Sequence, residues 1–203
     1  MARTPLSDED LLAISLRCAE LMHEHDGDAP TKALVEASGF SERTFFRYFP
    51  TKAESLRPLF NHGNRRFAAA LARRTASSTV TIVDAVADAF SEAFAEDGLV
   101  WGRHLMQLVL SSPPLRRVWL ETNDDLAELL VPTLAQALGL AHDDGETSLA
   151  ADQAVLLAVS ALRRMALLDE GPQDAAAHVA DAFRGAPLLR TAQSSTHQHT
   201  NNS

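Results

Sequence analysis

Apolar residues recur three and four positions apart along most of the chain, the spacing that lines one face of an α-helix. The first stripe follows an acidic cap that begins at Ser7, and it runs from Leu11 to Met22. Further helices are predicted over residues 82–94, 99–110, 115–140, 148–168 and 172–183. No segment shows the alternation of apolar and polar residues that a strand requires. We therefore expect an all-α protein of about nine helices.

Residues 34–49 are predicted to form two short helices joined by a tight turn. The first ends at Gly39, and Ser41 is placed to cap the second with its side-chain oxygen. Phe45 and Phe49 are four residues apart, so they share one face of the second helix. Two short helices around a glycine turn are the signature of a helix-turn-helix. The alternative is a short aromatic core helix in an unrelated protein, but the arginines interleaved with the aromatic residues disfavour it.

The block from Ala37 to Leu56, ASGFSERTFFRYFPTKAESL, resembles the DNA-binding motif of TetR-family transcriptional regulators. The residues that fall at the family's spacing are Gly39, Ser41, Thr44, Tyr48, Phe49 and Lys52. The segment from Arg103 through Trp119 to Arg164 also resembles the C-terminal domain of mycofactocin-system-type regulators.

The resemblance implies a division of the chain into functional parts. It places a three-helix helix-turn-helix domain at residues 1–50, a connecting helix at 51–74, and a helical ligand-binding and dimerisation domain at 75–186. The connecting helix is expected to begin near Lys52, with Pro58 disturbing its first turns. Residues 187–203 are mostly polar, and we expect them to be disordered.

Two arginines are the main candidates for reading DNA bases. By helical phase Arg43 and Arg47 point outward from the second helix, and arginine bonded twice to guanine is the commonest specific base contact. Glu42 either accepts a hydrogen bond from a cytosine amine or is a solvated acid, and both interpretations stay open. Family members usually carry Tyr where this chain has Phe46, so this side chain can offer only apolar contact. By resemblance, the other DNA-binding candidates are Thr31, Lys32, and the phosphate-contacting positions Ser41, Thr44, Tyr48 and Lys52.

The net charge of −9 is unusual for a DNA-binding protein, but the charge is unevenly distributed. Residues 41–74 contain eight basic and two acidic residues, a net charge of +6, whereas residues 75–203 carry −10. We interpret this as an acidic body with a local basic face that binds DNA. Random variation of surface charge is the alternative, and the coincidence with the motif disfavours it.

A single recognition helix reads too few bases for a genomic site, so a homodimer on a palindromic operator is expected. The last two helices are the expected interface, with candidates Leu156, Leu157, Val159, Ser160 and Leu162. The resemblance also implies an effector pocket in the body, with candidates Phe90, Phe94, Trp101, His104, Met106, Trp119 and Met165. For each pocket candidate taken alone, an ordinary core residue is the favoured interpretation.

The other sequence features reduce the number of functional classes to which the protein could belong. No nucleophile–base pair, metal-ligand spacing or phosphate-binding loop stands out, so we expect no enzyme activity, no metal and no cofactor. The single Cys18 excludes an internal disulfide, and neither a membrane span nor a signal peptide is predicted. The expected protein is a cytoplasmic, nucleoid-associated repressor that a small molecule releases from DNA. A DNA-binding regulator controlled by a protein partner and a helical enzyme with an incidental helix-turn-helix are the alternatives.

Overall fold

The structure, a computed structural model, describes residues 6–76, 80–95 and 102–185, and within them it contains nine α-helices, one 3₁₀ helix and no strand. The helices are α1 (Asp8–Glu24), α2 (Thr31–Ser38), α3 (Glu42–Tyr48), a 3₁₀ helix (Ala53–Leu56), α4 (Arg57–Thr75), α5 (Ile82–Phe94), α6 (Gly102–Ser111), α7 (Pro113–Leu138), α8 (Gly145–Leu168) and α9 (Pro172–Gly185). This architecture confirms the predicted all-α fold class. The predicted disordered tail and Trp101 lie outside the described residues.

The first helix begins where its cap predicts. The Ser7 side chain accepts a hydrogen bond from the Asp10 backbone N–H at 3.1 Å, and the Asp10 carboxylate accepts from the Ser7 backbone N–H at 3.0 Å. This reciprocal pair is a capping box, which satisfies backbone donors that the helix start leaves free. The Ser7 hydroxyl also donates to the Asp10 carboxylate at 2.8 Å, and this bond, followed by the one from the Ser7 backbone N–H, lowers the pKa of Asp10. The apolar stripe of α1, including Cys18 and Met22, is buried.

The connecting helix starts later than the sequence predicts. Residues 53–56 form a 3₁₀ helix, whose Glu54 backbone N–H donates to the Thr51 hydroxyl at 3.4 Å, and α4 follows from Arg57. Pro58 therefore lies in the first turn of α4, where its missing N–H would have no helical partner. The sequence predicted a kink or an early irregularity at Pro58, and the helix does change from 3₁₀ to α just before this residue, where the proline helps to begin α4.

Two apolar cores hold the chain together. The body core joins the second half of α4 to α5, the second half of α7, α8 and α9, and its largest fully buried side chains include Phe67 and Phe90. The other core joins α1, α2, α3 and the 3₁₀ helix to α6 and the first half of α7. Phe45 from the recognition helix and Trp119 from α7 belong to this one core. The helix-turn-helix thus shares its packing with two body helices.

A network of ion pairs centred on Arg57 joins the start of α4 to α7. The Arg57 guanidinium donates to Glu54 at 2.6 Å and to Glu121 at 2.5 Å, and it lies 4.0 Å from Asp125. Arg117 approaches the same two glutamates, at 3.6 Å and 3.0 Å. The hydrogen bond to Glu54 is the largest of the effects that raise the pKa of Arg57. The hydrogen bond that Arg57 donates to Glu121 is the largest of the effects that lower the pKa of Glu121.

We expect Arg57→Ala to lower the free energy of unfolding by about 1–3 kcal/mol, because charge-assisted hydrogen bonds are lost and the largely buried Glu54 loses its nearest partner. At about 2–4 °C per kcal/mol, the melting temperature should fall by several degrees. Arg65→Ala is the matched control, since among the described residues Arg65 pairs with the exposed Asp8 at 3.8 Å, and such pairs contribute little to stability. Equal melting temperatures for the two variants, measured by circular dichroism, would contradict the structural role of Arg57.

The described helices include none with the length and apolar character needed to cross a membrane.

Candidate nucleic-acid interface

The turn between α2 and α3 is set by a left-handed glycine and two serine side chains. Gly39 has φ +70°, a conformation that costs a residue with a Cβ about 1–2 kcal/mol. The Ser38 hydroxyl donates to the Val35 carbonyl at 2.7 Å and accepts from the Phe40 N–H at 3.1 Å. Ser41 then caps α3 by accepting from the backbone N–H of the third helical residue at 3.3 Å. The turn thereby fixes where the recognition helix starts.

We expect Gly39→Ala to destabilise the chain by about 1–2 kcal/mol and to weaken DNA binding as well, because its strain falls on the turn that positions α3. Gly139→Ala is the matched control, since Gly139 ends α7 with φ +69° and neither glycine has an atom within 4 Å of an added Cβ. Urea denaturation should show similar losses of stability. Similar losses of operator affinity for both variants would show that the turn has no special role.

The recognition helix α3 has one buried and one exposed face. Phe45 and Phe49 are buried in the shared core, with their ring centroids 5.3 Å apart. Glu42, Arg43 and Arg47 are exposed, as their helical phase predicts. Phe46 lies at the edge of the exposed face, with 36% of its surface accessible. The helix therefore presents two guanidinium groups, one carboxylate and part of an aromatic ring to a partner.

Three of the phosphate-contacting candidates already interact within the helix-turn-helix part of the chain, α1 to α3, which we call the head. The Thr44 hydroxyl lies 2.9 Å from that of Ser41. The Tyr48 ring stacks on Phe40 with centroids 5.4 Å apart, and the Arg47 guanidinium carbon lies 5.2 Å from the Tyr48 centroid. These contacts hold the hydroxyls of Ser41 and Thr44 and the ring of Tyr48 at the ends of α3.

Lys52 makes a different contact from the one the sequence predicts. Its ammonium group donates to the Asp28 carboxylate at 2.5 Å and to the Ala29 carbonyl at 3.1 Å, and the hydrogen bond from Lys52 lowers the pKa of Asp28. Lys52 thus ties the loop between α1 and α2 to the segment after α3. At the start of α2, Thr31 is half-buried and Lys32 is exposed, 3.9 Å from Glu36.

The basic segment at residues 41–74 does not form one DNA-facing surface, which corrects the interpretation of its +6 charge. Arg57 pairs with acids of α7 and the 3₁₀ helix, Arg73 pairs with Glu92, and Arg74 pairs with Glu92 at 2.8 Å. The pairing with these arginines, first Arg73, lowers the pKa of Glu92. Arg43 and Arg47 differ from them, because neither forms an ion pair with another described residue.

A cavity of about 660 Å³ lies where the head meets the body. Its walls come from six helices, α1, α4, α5, α6, α7 and α8. Four pocket candidates line it: Phe94, Met106, Trp119 and Met165. Phe90 does not line it, because its ring is fully buried in the body core.

His104 also lies outside the cavity lining, on the contact between α1 and α6. Its Nδ1 atom is 2.5 Å from the Nδ1 atom of His23, and its Nε2 atom is 3.8 Å from the Asp26 carboxylate. The two imidazoles can share one hydrogen, one ring donating and the other accepting. His104 therefore helps to join the head to the body, a role that the sequence did not predict.

The residues predicted to form the dimer interface differ in their exposure. Leu162 is half-buried and lines the cavity. Leu157 and Val159 are buried in the two cores of the chain itself, so these two are not available to a second copy. This corrects their assignment to an interface. Leu156 is exposed and Ser160 is half-buried, on the outer face of α8.

An apolar stripe on the outer face of α8 includes residues that the sequence reasoning missed. Leu149, Leu156 and Leu167 expose 55%, 53% and 66% of their surfaces. Their spacings of seven and eleven residues return to nearly the same side of a helix with 3.6 residues per turn. The spacing was visible in the sequence, but which of two apolar stripes stays uncovered depends on how the other helices pack.

Comparison with known proteins finds similarity of fold only. No family model matches the chain, and neither does any curated protein. Among solved structures, it is similar to the fatty acid degradation regulator FadR from Bacillus halodurans, with 17% identity, a TM-score of 0.56, and 93% of this chain and all of the other chain covered. It is also similar to a protein from Rhodococcus sp. assigned to the TetR-family transcriptional regulators, with 17% identity, a TM-score of 0.51, and 88% and 98% of the two chains covered. The chain has the fold of TetR-family regulators, a helix-turn-helix head on a helical body.

Proposed function

We propose that this chain is a TetR-family transcriptional repressor, which binds a palindromic DNA operator as a homodimer and leaves it when a small molecule binds the body. The observation that carries the proposal is the capped helix α3, whose exposed Arg43 and Arg47 have no acidic partner in the described chain. In the same basic segment of the sequence, Arg57, Arg73 and Arg74 are instead paired with carboxylates. A repressor of this kind acts in the cytoplasm, at the nucleoid.

Docking of α3 in the major groove would use its two exposed arginines for base contacts and its ends for phosphates. Arg43 and Arg47 are one helical turn apart, so they can reach neighbouring base pairs, and arginine matches the O6 and N7 acceptors of guanine. The Ser41 and Thr44 hydroxyls at the start of α3 and the Tyr48 hydroxyl at its end would make the contacts to the DNA backbone. Lys52 would keep the head rigid through Asp28 while its remaining N–H faces a phosphate.

Release would act through α6, because this helix has two roles. Leu105 and Val109 line the cavity and also belong to the core shared with the head. Leu12 and Leu16 bring α1 of the head directly into the cavity lining. A ligand that separates these walls would shift the head, whereas a ligand with equal affinity for both arrangements would change nothing. A coupling of about 1–3 kcal/mol corresponds to a 5–150-fold loss of operator affinity.

Selection of DNA from a random duplex pool tests the proposal. At physiological salt, wild-type protein should enrich a palindrome whose half-sites lie about one helical turn, roughly 34–36 Å, apart. The affinity for the enriched site should exceed that for a scrambled duplex by at least about 10³. Enrichment of no motif, with equal affinity for both duplexes, would overturn the proposed function.

A further inference from the structure

The cavity between head and body combines an apolar interior with cationic side chains. Phe60, Met106 and Trp119 represent its apolar lining, and the charged residues in that lining are Arg66 and Arg103. Among the described residues that line the cavity, none is Asp or Glu. A volume of about 660 Å³ lies within the range of small-molecule sites, roughly 300–1,000 Å³. The cavity is thus large enough for a small molecule, and its described walls carry positive charge only.

Arg103 already binds a carboxylate. Its guanidinium forms an ion pair with Asp169, the residue that ends α8 in a left-handed conformation with φ +61°. Asp169 is not part of the cavity lining, and its side chain is 84% exposed. Exposed ion pairs contribute little to stability, so a carboxylate arriving in the cavity can take the place of Asp169 at small cost.

Asn64, a neutral polar residue of the lining, is already used to join two helices. The Asn64 amide nitrogen donates to the Thr122 backbone carbonyl at 2.7 Å, which joins α4 to α7. The arginines are therefore the groups in this lining best suited to select a ligand by charge.

We propose that this cavity binds an amphipathic carboxylate, with an alkyl or arylalkyl chain among the apolar side chains and the carboxylate held by Arg103 and Arg66. Guanidinium matches carboxylate geometry with two parallel hydrogen bonds. An ammonium head group would be repelled by the same arginines, and a neutral one would gain no hydrogen bond between two charged groups, so the site discriminates against both. Binding of the carboxylate does not depend on the proposed function. The statement that this carboxylate is the effector does rest on it.

Isothermal titration calorimetry of the full chain with decanoate, decanol and decylamine tests the charge preference at constant chain length. Decanoate should bind at least about tenfold more tightly than decanol, as expected for a charge-assisted contact, and decylamine should bind more weakly than either. Arg103→Gln and Arg66→Gln should each reduce the affinity for decanoate about tenfold and leave the affinity for decanol unchanged. Arg116→Gln is the matched control, because it removes an exposed arginine of α7 that does not line the cavity.

A second pair of variants shows whether the probe occupies this cavity. Gly63 lines it, and an added Cβ would stand 3.8 Å from the Phe94 ring, an ordinary contact. The larger side chain of Gly63→Leu should fill the cavity and abolish binding of decanoate and decanol alike, whereas Gly63→Ala should reduce it less. Thermal melting of each variant establishes that it is folded. If Gly63→Leu does not fold, the arginine variants alone test the proposal.

Three results would overturn the proposal: no binding of decanoate by the wild type, equal affinity for all three probes, or unchanged decanoate affinity in both arginine variants. Operator binding is measured separately, by fluorescence anisotropy with and without saturating decanoate. Loss of operator affinity on addition of decanoate makes the carboxylate an effector. If decanoate binds but operator affinity does not fall, the carboxylate site stands and its regulatory role is excluded. If no operator can be selected, the proposed function is overturned and the carboxylate site is unaffected.

Discussion

Replacement of both Arg43 and Arg47 by alanine is expected to lower affinity for the selected operator about 100-fold or more. Each arginine that binds guanine twice contributes on the order of 1–3 kcal/mol of discrimination, and every tenfold change in affinity corresponds to about 1.4 kcal/mol. The stability of the chain should hardly change, because both side chains are exposed and neither pairs with another described residue. The loss would therefore come from the interface and not from unfolding.

The double lysine variant, Arg43→Lys with Arg47→Lys, separates base reading from simple attraction to phosphate. Lysine keeps the positive charge but lacks the planar fork that bonds guanine twice. We expect this variant to retain most of the affinity for scrambled DNA and the same salt dependence, while its preference for the operator falls. Fluorescence anisotropy at several salt concentrations measures both quantities. An unchanged operator preference in the alanine and lysine variants would show that other residues read the bases.

Features that depend on neighbouring residues could be predicted from the sequence. The cap at Ser7, the cap at Ser41 and the apolar stripe of α5 each lie within a few turns of one helix, and the structure has helices there. The start of α4 was predicted near Lys52, because the local sequence does not distinguish the 3₁₀ helix that residues 53–56 form from the first turn of an α-helix. Pro58 was then interpreted as a disturbance, although proline in the first turn of a helix is favourable.

Features that depend on distant residues could not be predicted in this way. Arg57 was counted as part of a basic DNA-binding segment, but its partner Glu121 lies 64 positions away. Phe90 and Phe94 lie on one stripe with centroids 4.7 Å apart, yet only Phe94 lines the cavity. Periodicity identifies an apolar face, but it does not tell whether another helix, a ligand or a second copy covers that face.

The same limit applies to α8, where the sequence could not distinguish Leu156 from Leu157. Leu157 is 2% exposed inside the body core, so Leu157→Glu would place a charge in that core and unfold the chain instead of separating a dimer. Leu156 is 53% exposed on the outer stripe, which makes it the informative position. An exposed apolar stripe of this kind is typical of a surface that binds a partner.

We expect Leu156→Glu to convert the dimer to a monomer, because two copies of the charge would meet near the centre of a self-complementary interface. A monomer binds only one half-site, and the loss of the second attachment should reduce operator affinity about 10²–10⁴-fold. Leu120→Glu is the matched control, since Leu120 is 44% exposed on α7 and lies outside the α8 stripe. Sedimentation velocity at micromolar concentration should show a monomer for Leu156→Glu and a dimer for both Leu120→Glu and the wild type. A monomeric wild type would contradict the homodimer itself, whereas a dimeric Leu156→Glu variant with full operator affinity would place the interface elsewhere.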